Sequence, residues 1–220
     1  PAASNPDFLL PAEGSYDGDA LLAELVSPPF SQYAKYVLKV SYNIGSDTSL
    51  VLWGLSEGVD NMPDALTLER ENLTENVGIP GGDFDFVDGS GGGETTATSS
   101  AVLQMLEYAS DQSYFPDLLA ALPVLGVDGS LAFFTSFEAD PTLAGAVGNV
   151  SAKTGTYATG DENGILLKGS SMAGFVSAKS GRNLMFSLIV NNVQLGTDIE
   201  DLLLVSEDQA TISAIVWRDY

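Results

Sequence analysis

The sequence predicts an α+β fold with a mostly antiparallel sheet. Two runs in which apolar and polar residues alternate, at residues 172–178 and 183–190, predict two strands, and the four residues between them predict a hairpin turn. Residues 147–157 predict a further strand, and helical periodicity from 198 to 217 closes the chain. Strands that are followed by a packing helix are typical of the α+β class.

The part of the chain before the sheet is predicted to be mainly helical. Helices are predicted at residues 17–25, 30–40, 43–58, from Thr98 or Ser99 to 110, and briefly after Pro116. The Pro28-Pro29 pair separates the first two helices, residues 59–98 are mixed, and 122–131 indicate a shaped loop. No domain boundary is predicted inside the chain. The helical side chains predicted to face the core are Leu50, Leu52, Trp53, Leu55, Val102, Met105, Leu106, Leu202, Leu203, Ile212, Ile215 and Val216.

The composition excludes several kinds of active site. The 220 residues include no Cys and no His, which excludes a thiol nucleophile, a Cys/His zinc site and a Ser-His-Asp triad within this chain. Proton transfer would therefore have to use Lys, Ser, Tyr or carboxylate groups. We expect no metal site and no cofactor.

The charge is strongly negative, with 30 acidic and 8 basic residues and a net charge of −22. This surface disfavours nucleic acid and anionic membranes, and it fits either life at high salt or an acidic secreted protein. No apolar run approaches the roughly 18 residues that cross a membrane, and no signal sequence opens the chain. The first six residues are interpreted as an interior cut point or a linker.

The first candidate for chemistry is a K-T-G-T motif on a predicted strand, formed by Lys153, Thr154, Gly155 and Thr156. An ammonium group would attract a substrate carboxylate, the hydroxyls would hydrogen-bond it, and glycine would let a substrate backbone lie close to the strand. A lone triplet also occurs by chance at strand ends. A near copy begins at Lys179, but it lies where the hairpin turn is predicted, so the chemistry is assigned to the first copy.

The second candidate is Ser41-Tyr42-Asn43, which lies at a predicted helix boundary. Taken alone, Ser and Asn there are ordinary helix caps. In serine acyl-transferases that use S-x-x-K, S-x-N and K-T-G motifs, the S-x-N hydroxyl and amide point into the cleft beside the nucleophile. The flanking sequence decides between these interpretations.

The flanking segments resemble the D-Ala-D-Ala carboxypeptidases of the penicillin-binding protein 4 type, peptidase family S13. The similar segments follow the family order at residues 27–31, 38–45, 86–91, 122–131 (L-P-V-L-G-V-D-G-S-L), 152–156, 173–176, 186–191 and 207–209. Two segments depart from the family. Residues 92–94 replace the usual leucine-serine-arginine, and residues 157–171 are longer than expected, for which a surface insertion is favoured over a flap.

The resemblance implies the penicillin-binding/serine β-lactamase fold, an antiparallel sheet flanked by helices. Residues 1–220 would be its C-terminal part, and 1–26 would include a linker and a short helix from the preceding inserted domains. The implied activity is removal of terminal D-alanine from peptidoglycan peptides, as carboxypeptidase or endopeptidase, with acylation by β-lactams. The location would be periplasmic or otherwise extracytoplasmic. The alternatives are a β-lactamase or esterase on the same fold, and a non-catalytic degenerate binding protein.

The resemblance also implies roles for the candidate residues. Lys153, Thr154 and Thr156 would hold the terminal carboxylate, and Gly155 would let the substrate approach. The backbone N–H of Thr156 would be one oxyanion donor. Ser41 would relay a proton to the leaving amine. Asn43 would anchor the substrate's amide.

The family's nucleophile is absent from this chain. The nucleophile belongs to an S-x-x-K motif, in which Lys deprotonates the attacking Ser. The residues three positions before the five lysines are Gln32, Tyr36, Val150, Ile165 and Val176. None is Ser or Thr. We therefore expect the serine on a separate N-terminal fragment that binds this chain tightly, and we expect this chain alone to be inert.

Overall fold

The computed structural model describes Ser15, residues 23–162 and residues 164–220. Its helices are α1 (Phe30–Val40), α2 (Asn43–Ser56), α3 (Met62–Asn72), α4 (Ser99–Ser110), α5 (Phe115–Ala121) and α6 (Glu200–Asp219). Its strands are β1 (Phe84–Asp85), β2 (Thr96–Ala97), β3 (Val150–Asp161), β4 (Gly164–Ser177) and β5 (Asn183–Gln194). No helix among the described residues is long and apolar enough to cross a lipid bilayer.

The main sheet is antiparallel, with three strands in the order β3-β4-β5. Side chains of successive residues in a strand point to opposite faces. The cross-strand row Ala152, Gly174 and Phe186 therefore faces one side of the sheet, and the next row, Lys153, Ala173 and Ser187, faces the other. The first face is covered by α6 and the second is contacted by α4, so the sheet lies between helices. The predicted α+β class is confirmed.

The main core lies between α6 and the first face of the sheet. Ala210, Ala214 and Trp217 of α6 pack against Met172 and Phe186 of the strands, and all five are buried. A polar contact fixes the register of this packing: Ser170 donates its hydroxyl to Gln209 Oε1 at 2.9 Å, and Gln209 Nε2 donates back to the Ser170 carbonyl at 3.1 Å. Both groups are buried and each satisfies the other, so the contact specifies the packing without leaving an unpaired polar atom.

Most predicted elements are confirmed to within three or four residues. Helix α1 has the predicted bounds, Thr98 caps α4 through a bond from the Ala101 N–H at 3.1 Å, and the hairpin between β4 and β5 turns at residues 178–182. Helix α3 was not predicted, and it occupies part of the segment described as mixed. The predicted helix at 17–25 lies mostly outside the described residues, and its described end, residues 23–25, is not helical.

Several predicted core positions are wrong. Leu52, Leu55 and Leu203 are at least half exposed, and Met105 and Ile212 are also exposed. The buried faces of α4 and α6 contain many small residues, with Ala101 and Ala109 in α4 and, beside Gln209 and Trp217, Ala210, Ser213 and Ala214 in α6. Small side chains let these helices lie close to the neighbouring elements, which leaves the large apolar residues facing outward.

The described strand residues of the segment 157–171, at 157–161 and 164–171, are part of the sheet. They form the far ends of β3 and β4, which pair up to Asp161 opposite Gly164. The favoured interpretation as a surface insertion is therefore incomplete, because Tyr157 and residues 168–171 border the cleft described below.

Candidate active site

Ser41 lies at a sharp corner between two helices. Its backbone is left-handed, with φ 56° and ψ 52°, which ends α1 at Val40 and allows α2 to begin at Asn43. The Tyr42 N–H donates to the Val37 carbonyl at 3.0 Å. A side chain on Gly45 would lie 2.7 Å from both Tyr42 and Val37, so only glycine lets the corner pack this tightly. A non-glycine residue in this conformation is uncommon and is a feature of constrained sites.

The side chain of Lys153, which lies on β3, contacts the side chain of Ser41 at this corner. Its Nζ donates to Ser41 Oγ at 2.5 Å and also to the carbonyl of Thr154. Burial disfavours the charged form and lowers the pKa of Lys153 from 10.5 to about 8. No carboxylate of the described residues forms an ion pair with it. A partly desolvated cation without a counter-charge is a suitable anchor for an anionic ligand.

Thr154 is fixed by a neighbouring hydroxyl, because its Oγ1 lies 2.9 Å from Ser130 Oγ and either atom can be the donor. Ser130 belongs to the shaped loop at 122–131. This loop also pairs with β3 through its backbone: the Leu125 N–H donates to Val150 and the Ala152 N–H donates to Pro123, each at 2.9 Å. The sequence predicts this shaped loop but does not indicate a role for Ser130.

The same loop is tied to α1 by an ion pair. Lys39 Nζ lies 2.6 and 2.7 Å from the two carboxylate oxygens of Asp128, and it donates to the Leu122 carbonyl at 2.5 Å. Gly129 has φ +61°, and a side chain there would lie 2.7 Å from the Lys39 carbonyl. The loop therefore acts as a brace: it contacts α1 two residues before Ser41 and contacts β3 at Thr154.

A cleft of about 620 Å³ lies over the second face of the sheet. One wall is formed by the three strands, and the other by residues 90, 91 and 93–97 with Val102. The wall opposite the sheet is shaped by Asp88, whose Oδ1 accepts hydrogen bonds from the backbone N–H groups of Ser90, Gly91 and Gly92 at 2.7–3.0 Å. Burial acts to raise the pKa of Asp88, but these hydrogen bonds hold that pKa below its usual value. All four residues of the K-T-G-T motif border this cleft.

The predicted site residues divide into two groups. Ser41 and Lys153 are in direct contact, and Thr154, Gly155 and Thr156 follow along β3. Asn43 is exposed on the first turn of α2, and neither it nor Ser41 borders the 620 Å³ cleft. The near copy at Lys179 is in a turn, as predicted, with Gly181 at φ +87°. No group of three or more His, Cys, Asp or Glu in the described part of the chain could hold a metal ion.

The sequence profile of the D-Ala-D-Ala carboxypeptidase 3 (S13) family matches residues 8–209. The chain belongs to this family. The match covers most of the chain and includes both motifs of the candidate site. No curated protein sequence matches the chain.

Solved structures with the same fold include penicillin-binding protein 4 from Haemophilus influenzae, with a TM-score of 0.67 at 22% identity over 87% of this chain and 40% of that one. A predatory peptidoglycan endopeptidase from Bdellovibrio bacteriovorus matches with 0.60 at 18% identity, over 86% and 43%. A class A β-lactamase from Bacteroides cellulosilyticus matches with 0.53 at 17%, over 86% and 65%. The chain spans about two fifths of the length of the first two proteins. The penicillin-binding/serine β-lactamase fold is thereby confirmed.

Proposed function

We propose that this chain supplies the carboxylate-binding and proton-relay groups of a serine-type enzyme that removes terminal D-alanine from peptidoglycan peptides. The contact between Lys153 Nζ and Ser41 Oγ carries the proposal, because it joins the two predicted motifs in one site. The H. influenzae protein of this fold has been solved in complex with a β-lactam. An extracytoplasmic location fits a peptidoglycan substrate.

In the proposed reaction, the ammonium of Lys153 and the hydroxyls of Thr154 and Thr156 bind the terminal carboxylate. A serine from outside this chain attacks the carbonyl of the penultimate residue, and the Thr156 N–H donates to the oxyanion. Ser41 passes a proton to the amine as the C–N bond breaks, and Lys153, as its hydrogen-bond donor, keeps Ser41 oriented. D-Alanine leaves, and water then hydrolyses the acyl ester. Asn43 would anchor the amide of the acyl part.

The nucleophile is proposed to lie on a separate N-terminal fragment that carries the S-x-x-K motif and binds this chain. Two observations support such a partner. Strand β5 pairs with β4 on one side, and no strand of the described residues pairs with its other side. This leaves a sheet edge at which another strand could pair. Large apolar side chains are also exposed on several helices, at Tyr36, Val40, Ile44, Leu52, Leu55, Leu203 and Leu204. Apolar surface of this kind is typical of an interface.

Fluorescent penicillin tests where the nucleophile lies. The protein is labelled in its intact state and its chains are then separated on a denaturing gel. We expect label on the fragment with S-x-x-K and none on this chain. A label on this chain would refute the proposed position of the nucleophile.

The likeness to a class A β-lactamase supports a second candidate activity on the same site. Turnover of a D-Ala-D-Ala peptide, a cephalosporin and a short ester separates a peptidase from a β-lactamase and from an esterase. A protein that turns over none of them and takes no penicillin label, and whose intact mass includes no S-x-x-K fragment, would be a non-catalytic binding protein.

A further inference from the structure

Residues 88–93, called here the Asp88 loop, form an anion-binding nest whose anion belongs to the chain itself. A nest is a concavity into which successive backbone N–H groups point, and such concavities commonly bind phosphate or other anions. In the Asp88 loop, the N–H groups of Ser90, Gly91 and Gly92 converge on Asp88 Oδ1 at 2.7–3.0 Å. The carboxylate therefore occupies the position that a bound anion would take in other nests.

One side of the Asp88 loop lies directly on the helix that begins in the S-x-N motif. A side chain on Gly89 would lie 2.9 Å from the Ser46 carbonyl oxygen and 3.1 Å from the Asp47 Cα. Helix α2 begins at Asn43, so these contacts fall three to four residues after Asn43. Because both atoms belong to the helix backbone, they cannot move aside unless α2 moves. The position of the loop and the position of Asn43 are therefore coupled.

The other side of the Asp88 loop borders the cleft. Ser90, Gly91 and Gly93 lie on the wall that faces the K-T-G-T motif. Gly91 has φ +83° and Gly93 has φ +58°, so the loop uses backbone conformations that glycine adopts readily and other residues rarely adopt. A segment so rich in glycine has many alternative conformations, and the hydrogen bonds to Asp88 select one of them.

Gly92 is one of the positions at which the chain departs from its family. A side chain there would lie 2.7 Å from Asp88 Oδ2, the second oxygen of the same carboxylate. The leucine that is usual at this position in the family would collide with the carboxylate in the observed geometry. The absence of a side chain at Gly92 therefore permits the carboxylate to lie against the loop.

We propose that Asp88 is a positioning residue of the candidate active site. Its carboxylate holds the Asp88 loop in one conformation, and the loop fixes α2, with Asn43 at its start, relative to the cleft wall opposite the K-T-G-T motif. Asp88 itself touches no ligand and acts through the loop. The inference rests on the proposed function, because the rate of acylation is the quantity that reports the position of the S-x-N motif.

The test measures the rate of acylation by fluorescent penicillin in the complete protein, which contains this chain together with the S-x-x-K serine. Asp88→Ala removes the acceptor of the three N–H groups, whereas Asp88→Asn keeps an oxygen that can accept them. Gly92→Ala leaves Asp88 in place but pushes its carboxylate away from the loop. Gly82→Ala is the matched control, because Gly82 does not border the cleft and a side chain there would meet no described atom within 4 Å.

We expect Asp88→Ala to lower the maximal acylation rate about tenfold, the size of one lost hydrogen bond to a charged group. The half-saturating penicillin concentration should change little, because the carboxylate-binding residues on β3 are intact. Asp88→Asn should keep most of the rate, Gly92→Ala should lower it, and Gly82→Ala should not change it. Sodium formate should restore the rate of Asp88→Ala, because formate can occupy the vacated nest, and sodium chloride at the same concentration should not.

The positioning role alone would be overturned by a wild-type rate in Asp88→Ala or Gly92→Ala, by an equal loss in Asp88→Asn and Asp88→Ala, or by the absence of rescue by formate. A change confined to the half-saturating concentration would overturn it as well. If Asp88→Ala does not fold, Asp88→Asn and Gly92→Ala decide the question by the same criteria. A wild-type protein that takes no penicillin label would overturn the proposed function, and this inference with it.

Discussion

The ion pair between Lys39 and Asp128 provides a strong test of how the site is held together. The Lys39 side chain is only 12% exposed, whereas that of Asp128 is 44% exposed. Removing the carboxylate by Asp128→Ala leaves a nearly buried ammonium with the Leu122 carbonyl as its remaining partner. Removing the ammonium by Lys39→Met leaves a carboxylate that water can reach. The two substitutions should therefore have unequal effects.

The magnitudes follow from these exposures. Breaking a fully buried ion pair by removing one partner costs about 3–5 kcal/mol, and an exposed pair contributes about 0–1 kcal/mol. We expect Asp128→Ala to lower the free energy of unfolding by about 2–3 kcal/mol, because the remaining charge is buried. Lys39→Met should lower it by about 1 kcal/mol. The double variant should lose less than the sum, with a coupling energy of about 1 kcal/mol, because neither charge is left unpaired.

Urea unfolding measures these free energies, with Lys35→Met as the control for loss of one surface charge. The brace also makes a prediction about activity. Because it positions Ser41 and Thr154, acylation by fluorescent penicillin should slow in both single variants at temperatures where both remain folded. If Lys39→Met costs as much as Asp128→Ala, the burial argument is wrong. If stability falls but the acylation rate is unchanged, the loop does not position the site.

Two further predictions concern the proposed carboxylate anchor. Lys153→Ala should lower the acylation rate about tenfold to hundredfold, the size of a hydrogen bond to a charged group, while Lys179→Ala should change it little; equal effects would mean that the other repeat is the functional one. Because the pKa of Lys153 is lowered to about 8, the ammonium is present below that pH and is lost as the pH rises through it. The kcat/KM for a carboxylate substrate should therefore fall near pH 8, and a profile that stays flat to pH 10 would contradict this.

The sequence predicts the elements that carry a strong local signal. Helix α1 starts after a proline pair and ends before Ser41, and the β4–β5 hairpin has regular alternation on both sides of its turn. Helix α3 lacks such a pattern, because Ala65 is its only buried residue. It packs closely against α2, where a side chain on Gly54 would lie 2.9 Å from the Ala65 Cβ. A contact between two small residues is not visible as an apolar stripe, although the Asn61 cap and Pro63 did signal the helix start.

The residue types of the site could be predicted from the sequence, but their arrangement in space could be predicted only in part. The residue types of the K-T-G-T motif indicate its chemistry directly. The S-x-N motif could be assigned a function only because the flanking segments resemble the family. The contact between Lys153 and Ser41 joins residues 112 positions apart, and that between Lys39 and Asp128 spans 89. Spacing does not predict such contacts.

The wrong burial predictions and the absent nucleophile have one explanation under the proposed function. The apolar residues of α2 and α6 were predicted to be buried from their helical pattern, yet Leu52, Leu55 and Leu203 are exposed in the described chain. A helix keeps large apolar residues on a face at a cost in solubility unless that face is covered. Under the same proposal, the S-x-x-K serine comes from outside this chain. A single N-terminal fragment would bury these helix faces, extend the sheet beyond β5 and bring the serine to Ser41 and Lys153, so a chain that lacks its nucleophile should also have an incompletely covered core.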